Sequence, residues 1–218
     1  MSFKLIPNQE VLDDCFDGER KYTINVNDAG DDTTTFLIKV LRDAGEPEAL
    51  CKWRRSFEEL ADEKEWDAPT KLRQARLCLT GTAKSAFREA CDEEVADDED
   101  PDDAIYAAVM ANFTGKMGIT DETARQLREL IQRSTKPSSM GVSAFRRRVE
   151  ELSSNLPYLL GPLAHSMNAG TVYETVRDCV GVWVSEFRRT NQQAQVNNTA
   201  QLVQYHSNLE ADEASRRN

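Results

Sequence analysis

The sequence offers little of what enzymes and metal sites need. It has no glycine-rich phosphate-binding loop, no His-Glu-x-x-His zinc motif and no Gly-x-Ser-x-Gly nucleophile elbow. Only two histidines, His165 and His206, occur in 218 residues, and the Asp-Thr-Gly or Asp-Ser-Gly signature of aspartic proteases is missing. We therefore predict a protein that is not an enzyme and that uses no cofactor and no bound metal.

Cysteines with metal or disulfide spacing are absent too. The five cysteines are scattered, with no Cys-x-x-Cys pair. Cys51 and Cys78 lie beside apolar helical stripes, which predicts buried, reduced thiols and a reducing compartment. No apolar run approaches the roughly 20 residues of a membrane span, and the first residues lack the basic-then-apolar order of a signal peptide. We expect a soluble, cytoplasmic protein without a membrane partner.

Positive charge is also scarce. The 27 Lys and Arg residues are outnumbered by 38 Asp and Glu, which gives a formal net charge of -11. A surface that binds phosphate backbones needs a Lys or Arg near each phosphate that it neutralises. Any binding of nucleic acid must therefore be local or be supplied by another segment.

Amphipathic helix is what the sequence does contain, most clearly between residues 49 and 87. Apolar residues recur there at three- and four-residue steps with charged residues between them, which predicts a first helix with a buried stripe. Asp67 predicts the start of a second helix. Gly81 predicts its left-handed end, and Thr82 predicts the cap of a third helix. The predicted core of this lobe consists of Trp53, Phe57, Trp66, Leu72, Leu79 and Phe87.

An alternating pattern near the amino terminus predicts a β-hairpin. Its strands are expected at residues 21–26 and 33–40, on either side of a turn-like segment. The fold class is therefore predicted as mainly α, with two small helical lobes and a short N-terminal hairpin. The predicted divisions are an arm of undefined structure at 1–20, a first lobe at 21–116, a second lobe at 117–190 and a polar tail or spacer at 191–218.

Acidic residues dominate the stretch from Asp92 to Asp103. Like charges at this density repel one another, so we predict a solvated loop. The stretch also lacks the glycine and the oxygen spacing of a calcium loop. It leads into a helix that closes the first lobe.

Three helices are predicted for the second lobe. One follows Thr120, one covers residues 143–156, and one runs as a long amphipathic helix from Val172 to Phe187. The arginines at 146–148 stand beside two glutamates, which favours a salt-bridged face over a contact with RNA. Beyond residue 189 the apolar stripe is too weak to hold a helix firmly, so we expect a frayed or partner-stabilised tail.

Four short patterns follow one another between Trp53 and Phe87: W-x-x-x-F, the Glu65-Trp66-Asp67 turn, KL-x-x-A and LTGTA-x-x-x-F. Their order and spacing resemble the first lobe of the capsid region of Gag proteins from Gypsy-class LTR retrotransposons, or of host proteins derived from them. The matching positions are Trp53, Phe57, Trp66, Lys71, Leu72, Ala75, Leu79, Gly81, Ala83 and Phe87. Residues 126–160 resemble the second capsid lobe. Within them, Phe145, Arg148, Val149 and Leu152 resemble the helix that corresponds to the major homology region of retroviral capsids, although the Gln, Gly and Glu of the retroviral pattern are absent.

This resemblance implies a structural protein that assembles with itself. The first lobe is expected to form rings of five or six, and the second to join rings through a two-fold contact, so that a virus-like particle in the cytoplasm encloses RNA. The candidate ring contact consists of Lys52, Arg55, Arg76 and Arg88. The candidate two-fold contact consists of Trp183 and Phe187, provided that the lobe's own core does not bury them. The sequence has no Cys/His zinc knuckle, so RNA is expected to be bound mainly by another segment.

A second interpretation places the chain in another class of protein. Some host proteins derived from Gag are monomeric or dimeric adaptors that bind a peptide in a groove of the first lobe. The same helical core is expected in that case, but the partner is a peptide ligand and no shell forms.

Overall fold

In the computed structural model the chain is mainly helical, with an antiparallel hairpin near its amino terminus, and this confirms the predicted fold class at that level. The structure describes residues 2–25, 33–96, 100–190, 196 and 198–217. The elements are α1 (Gln9–Asp13), β1 (Phe16–Asn25), β2 (Thr33–Leu41), α2 (Pro47–Glu63), α3 (Ala68–Leu77), α4 (Gly81–Glu94), α5 (Asp103–Lys116), α6 (Asp121–Arg133), α7 (Val142–Asn155), α8 (Ala169–Arg177), α9 (Gly181–Arg189) and α10 (Thr199–Arg217). None of the described helices is long and apolar enough to span a membrane.

The chain divides into two compact units. Unit 1 comprises Met1–Ala124 and Tyr158–Ala164, and unit 2 comprises Arg125–Pro157 and His165–Asn218. The hairpin and the helices α1 to α5 belong to unit 1, whereas α7 to α10 belong to unit 2. The predicted lobe limits at 21–116 and 117–190 stay predictions.

The hairpin pairs β1 with β2 and places Tyr22 opposite Phe36. Residues 16–20, predicted as part of an undefined arm, belong to β1. A β-bulge in this stretch contains Gly18, whose φ is +73°, and it explains why the sequence shows no clean alternation there. The predicted turn at 27–32 lies outside the described residues.

Local signals explain where the helices of unit 1 begin. Pro47 occupies the first turn of α2, and the Asp67 carboxylate accepts a hydrogen bond from the Thr70 backbone N–H at 2.9 Å at the start of α3. Two predictions at the next boundary are wrong. The second helix, α3, ends at Leu77 rather than at Gly81, and the third helix, α4, begins at Gly81 with Thr80 rather than Thr82 at the N-cap position.

The acidic stretch at 92–103 is only partly a loop. Its first three residues belong to α4, which ends at Glu94, because the helix gains carboxylate–amide and carboxylate–ammonium contacts there from α5. Its last residues start α5, where the Asp102 carboxylate accepts a hydrogen bond from the Ile105 N–H at 2.8 Å. Residues 97–99 lie outside the described part of the chain.

Unit 2 corrects two predictions. The long helix expected from Val172 to Phe187 is broken into α8 and α9, because the Cys179 carbonyl accepts a hydrogen bond from the Lys136 N–H at 2.9 Å and thereby leaves the helical ladder. The tail expected at 191–218 contains α10, a helix of 19 residues that packs on α7 and α8. It is held by tertiary burial, because Leu202 is fully buried.

Candidate functional site

The predicted core residues of unit 1 form one aromatic cluster. Trp53 stacks on Phe57 with ring centroids 5.4 Å apart, and Phe113 stands edge-on to both Trp53, at 5.9 Å, and Phe87, at 5.4 Å. Leu79 and Leu72 are also buried. Trp66 is half-buried and lies 6.0 Å from Phe57, so it borders the cluster.

The turn between α3 and α4 joins the helices of unit 1 to the hairpin. Leu41, the last residue of β2, exchanges backbone hydrogen bonds with this turn: its N–H donates to the Cys78 carbonyl at 3.0 Å and its carbonyl accepts from Thr80 at 2.9 Å. Gly81 has a φ of +51°, and a Cβ at this position would come within 2.8 Å of the Arg42 side chain. The LTGTA segment therefore uses its glycine for a close approach of two backbones.

A cleft lies in unit 1 between α1, the hairpin and α2, and we call it the hairpin cleft. Its volume is about 310 Å³. Leu12, Phe16, Leu37 and Trp53 supply its apolar lining, and Lys39, Lys52, Arg55, Asp13 and Glu19 supply its charged lining. Leu37 is 56% exposed, which is unusual for a leucine on a strand. The hairpin cleft is therefore an apolar surface with a rim of both charges.

The four candidate ring-contact residues do not share one surface feature. Lys52 pairs with Glu48 at 3.1 Å, and both Lys52 and Arg55 line the hairpin cleft. Arg76 and Arg88 are exposed, on α3 and α4 respectively. The exposed pair is accessible to a neighbouring molecule.

Arg54, another arginine of α2, makes long-range contacts that the sequence does not indicate. Its guanidinium donates to the Thr114 hydroxyl at 3.0 Å and to the Tyr158 carbonyl at 3.1 Å, and it lies 5.6 Å from the Tyr158 ring centroid. Arg54 therefore attaches the returning segment Tyr158–Ala164 to the helices of unit 1. No local sequence signal marks a contact between residues 104 positions apart.

The helix that resembles the major homology region is α7, in unit 2. Phe145, Val149 and Leu152 are fully buried. Arg148 is 7% exposed and donates to the Glu151 carboxylate at 2.8 Å, and Arg146 pairs with Glu150 at the same distance. The salt-bridged face predicted for these arginines is confirmed for both pairs, so two of the three neutralise carboxylates on their own helix.

The candidate two-fold contact requires a correction. Trp183 and Phe187 are 3% and 1% exposed, because α10 covers them. The Trp183 indole N–H donates to the Glu213 carboxylate at 2.7 Å, and the Phe187 ring lies 5.7 Å from the Tyr205 ring. The condition attached to this prediction is not met, since the core of unit 2 buries both residues.

Burial disfavours the reactive, charged form of three cysteine thiols. Burial raises the pKa of Cys51 and of Cys179 to about 12, and that of the half-buried Cys91 to about 11, because a thiolate is poorly solvated there. Among the residues that the structure describes, no three or more His, Cys, Asp or Glu side chains are grouped so that they could bind a metal ion.

Comparison with known proteins finds no match for this chain. No family model, no curated protein and no solved structure matches it.

Proposed function

We propose that this chain is a capsid protein of the Gag type, which assembles with copies of itself into rings and then into a shell around retroelement RNA. The two compact units take the parts of the two capsid lobes. Unit 1 forms the ring and unit 2 joins neighbouring rings. RNA is enclosed, and the net charge of -11 makes another segment its main binding surface.

The observation that carries this proposal is the convergence of the ten matching positions. Six of them, Trp53, Phe57, Ala75, Leu79, Ala83 and Phe87, are at most 1% exposed in the core of unit 1. Lys71 lies outside this set and places its ammonium 5.4 Å from the Tyr106 ring centroid. Gly81 forms the close approach to β2. Eight of the ten positions thus have a structural task, which supports a shared lobe architecture better than composition does.

The outer surface of each unit limits where copies can meet. In unit 1, the exposed Arg76 and Arg88 remain the candidates for the ring contact. In unit 2, the buried Trp183 and Phe187 leave the outer face of α9, where Val182 is 73% exposed. We place the two-fold contact at Val182, because an apolar side chain this exposed is stabilised when a second copy covers it.

Assembly is tested by light scattering after size exclusion, together with negative-stain electron microscopy, at low and high salt. The Debye length falls from about 30 Å at 0.01 M salt to about 3 Å at 1 M. Screening therefore reduces repulsion between acidic protomers, and shells are expected at high salt only. Val182→Glu should stop growth at isolated rings. Val11→Glu introduces the same charge at an exposed valine of α1, outside both proposed contacts, and should still form shells. A protein that stays monomeric at high salt and high concentration contradicts the proposal.

One observation favours the second function, a peptide-binding adaptor. The hairpin cleft has an apolar lining and charged groups of both signs at its rim, which suits a short peptide with one or two apolar side chains. In this case Leu37→Asp should abolish peptide binding measured by fluorescence anisotropy against a random peptide library, and the protein should remain a monomer or dimer at high salt.

A further inference from the structure

His206 is the most unusual buried side chain of unit 2. It is fully buried, and within the described residues neither ring nitrogen has a hydrogen-bond partner. Its ring lies 5.0 Å from the Trp183 ring and 5.8 Å from the Tyr205 ring. A neutral imidazole tolerates this aromatic environment, but an imidazolium placed there is shielded from bulk solvent and has no acceptor among the described residues for its two N–H groups.

Two carboxylates of α10, the helix that carries His206, make polar contacts with the rest of unit 2. The Glu210 carboxylate accepts hydrogen bonds from the Lys136 ammonium at 2.7 Å and from the Val142 N–H at 3.2 Å. Glu213 accepts from Trp183. A cleft of about 300 Å³ lies between these groups, with Lys136, Trp183, Glu210 and Glu213 among its lining residues. The carboxyl-terminal half of α10 therefore borders a cleft, whereas Leu202 and His206 in the preceding part are fully buried.

The charged groups around the imidazole come from three places. Asp178 at the end of α8 and Glu210 on α10 act on the imidazole directly. Lys136, in the segment before α7, pairs with Glu210, and Glu213 on α10 accepts from Trp183. From α7 the Val142 N–H is directed at Glu210, and α9 contributes the Trp183 ring. Burial lowers the pKa of His206 to about 4, and the carboxylates of Asp178 and Glu210 only partly oppose this effect.

We propose that α10 is a pH-sensitive cover of unit 2, docked while His206 is neutral and released when that imidazole takes up a proton, so that Trp183 and Phe187 become exposed. The inference does not depend on the proposed function, because it concerns one helix and the face beneath it. α10 is then a conformational device in the segment for which the sequence predicted a frayed or partner-stabilised tail.

The direction of the pH effect follows from the pKa of the imidazole in the docked state and in the released state. The imidazole pKa is about 4 when docked and near 6.5 when α10 is released into water. A pKa lowered in the docked state means that the released state binds the proton more tightly, so the docked state is favoured above pH 6.5 and loses stability as the pH falls from 6.5 towards 4. Each pH unit in this window changes the opening equilibrium by up to tenfold, which gives about 30-fold between pH 7.5 and 5.

Hydrogen exchange followed by mass spectrometry tests the cover on the whole chain. After correction for the intrinsic pH dependence of exchange, opening of residues 199–217 should increase about 30-fold from pH 7.5 to 5, while α4 in unit 1 serves as the reference. At pH 5 most carboxylates remain ionised. His206→Phe keeps an aromatic ring without a titrating group and should reduce the change to less than threefold. His165→Gln removes the other histidine of the chain and should leave the change intact.

A nuclear magnetic resonance titration of the histidine ring protons provides a second measurement that needs no variant of α10. A pKa below 5 for His206 supports the inference. A pKa near 6.5 overturns it, because the ring is then accessible to water in the docked state. The inference is also overturned if His206→Phe opens as strongly at pH 5 as the unmodified chain, since another group then controls release.

Discussion

Phe113 is the residue on which two aromatic pairs of unit 1 converge. It contacts Trp53 from α2 and Phe87 from α4, and it is fully buried. The sequence places Trp53 and Phe57 in the core because both fall on one apolar stripe. It does not single out Phe113, because α5 is apolar on several sides and its periodicity names no face. Trp66 was predicted as a core residue but is half-buried. It follows Glu65, a turn residue with φ of +49°, and helical periodicity does not predict burial in a turn.

Phe113→Ala is expected to lower the free energy of unfolding by about 3–5 kcal/mol, because it removes an aromatic ring from a packed core and leaves a cavity. The measurement is urea unfolding followed by tryptophan fluorescence. Leu37→Ala, at a residue that is 56% exposed, is the control and should change the free energy by no more than about 0.5 kcal/mol. A loss below about 1 kcal/mol for Phe113→Ala is incompatible with a central position in the core.

Elements were predictable where local chemistry decides them. The cap at Asp67 and the apolar face of α7 depend on nearby residues, and these helices begin close to where those residues stand. The break between α8 and α9 depends on a hydrogen bond from Lys136, more than 40 positions away, and α10 depends on rings that it covers. Such non-local contacts override weak helical propensity, so no short window of sequence shows them.

A substitution at Gly81 tests how α4 meets the hairpin, because this glycine allows the close approach of the two backbones. Gly81→Ala places a Cβ at a φ of +51° and within 3.0 Å of the Arg42 carbonyl oxygen, and we expect a loss of about 1–2 kcal/mol or more in unfolding free energy. The matched control is Gly181→Ala, at the first residue of α9, where a Cβ meets nothing within 4 Å. Since that change only restricts the unfolded chain, it should be neutral or stabilise by up to about 1 kcal/mol. Equal losses for both variants contradict the close-approach explanation.

An acidic chain that assembles with copies of itself must bring together surfaces whose local charge differs from the average charge of the chain. The net charge of -11 favours separation of protomers at low salt. Arg76 and Arg88 are exposed cations on neighbouring helices of unit 1, whereas many other cations are paired within the chain, such as Arg146 with Glu150. In the proposed assembly, a repeated contact that uses the exposed pair places positive charge against an acidic neighbour and thereby sets the register of copies.

Charge reversal at these arginines tests the ring contact. Arg76→Glu and Arg88→Glu each change the net charge from -11 to -13, because a side chain of +1 becomes one of -1. We expect either change to abolish particles in electron micrographs, since a closed ring repeats the same defect at every interface. Arg133→Glu, at a side chain that is 81% exposed in unit 2, gives the same net charge and should still assemble. Loss of particles in all three variants would mean that total charge, rather than a contact on α3 and α4, controls assembly. Particles that survive both changes in unit 1 would move the ring contact to another face.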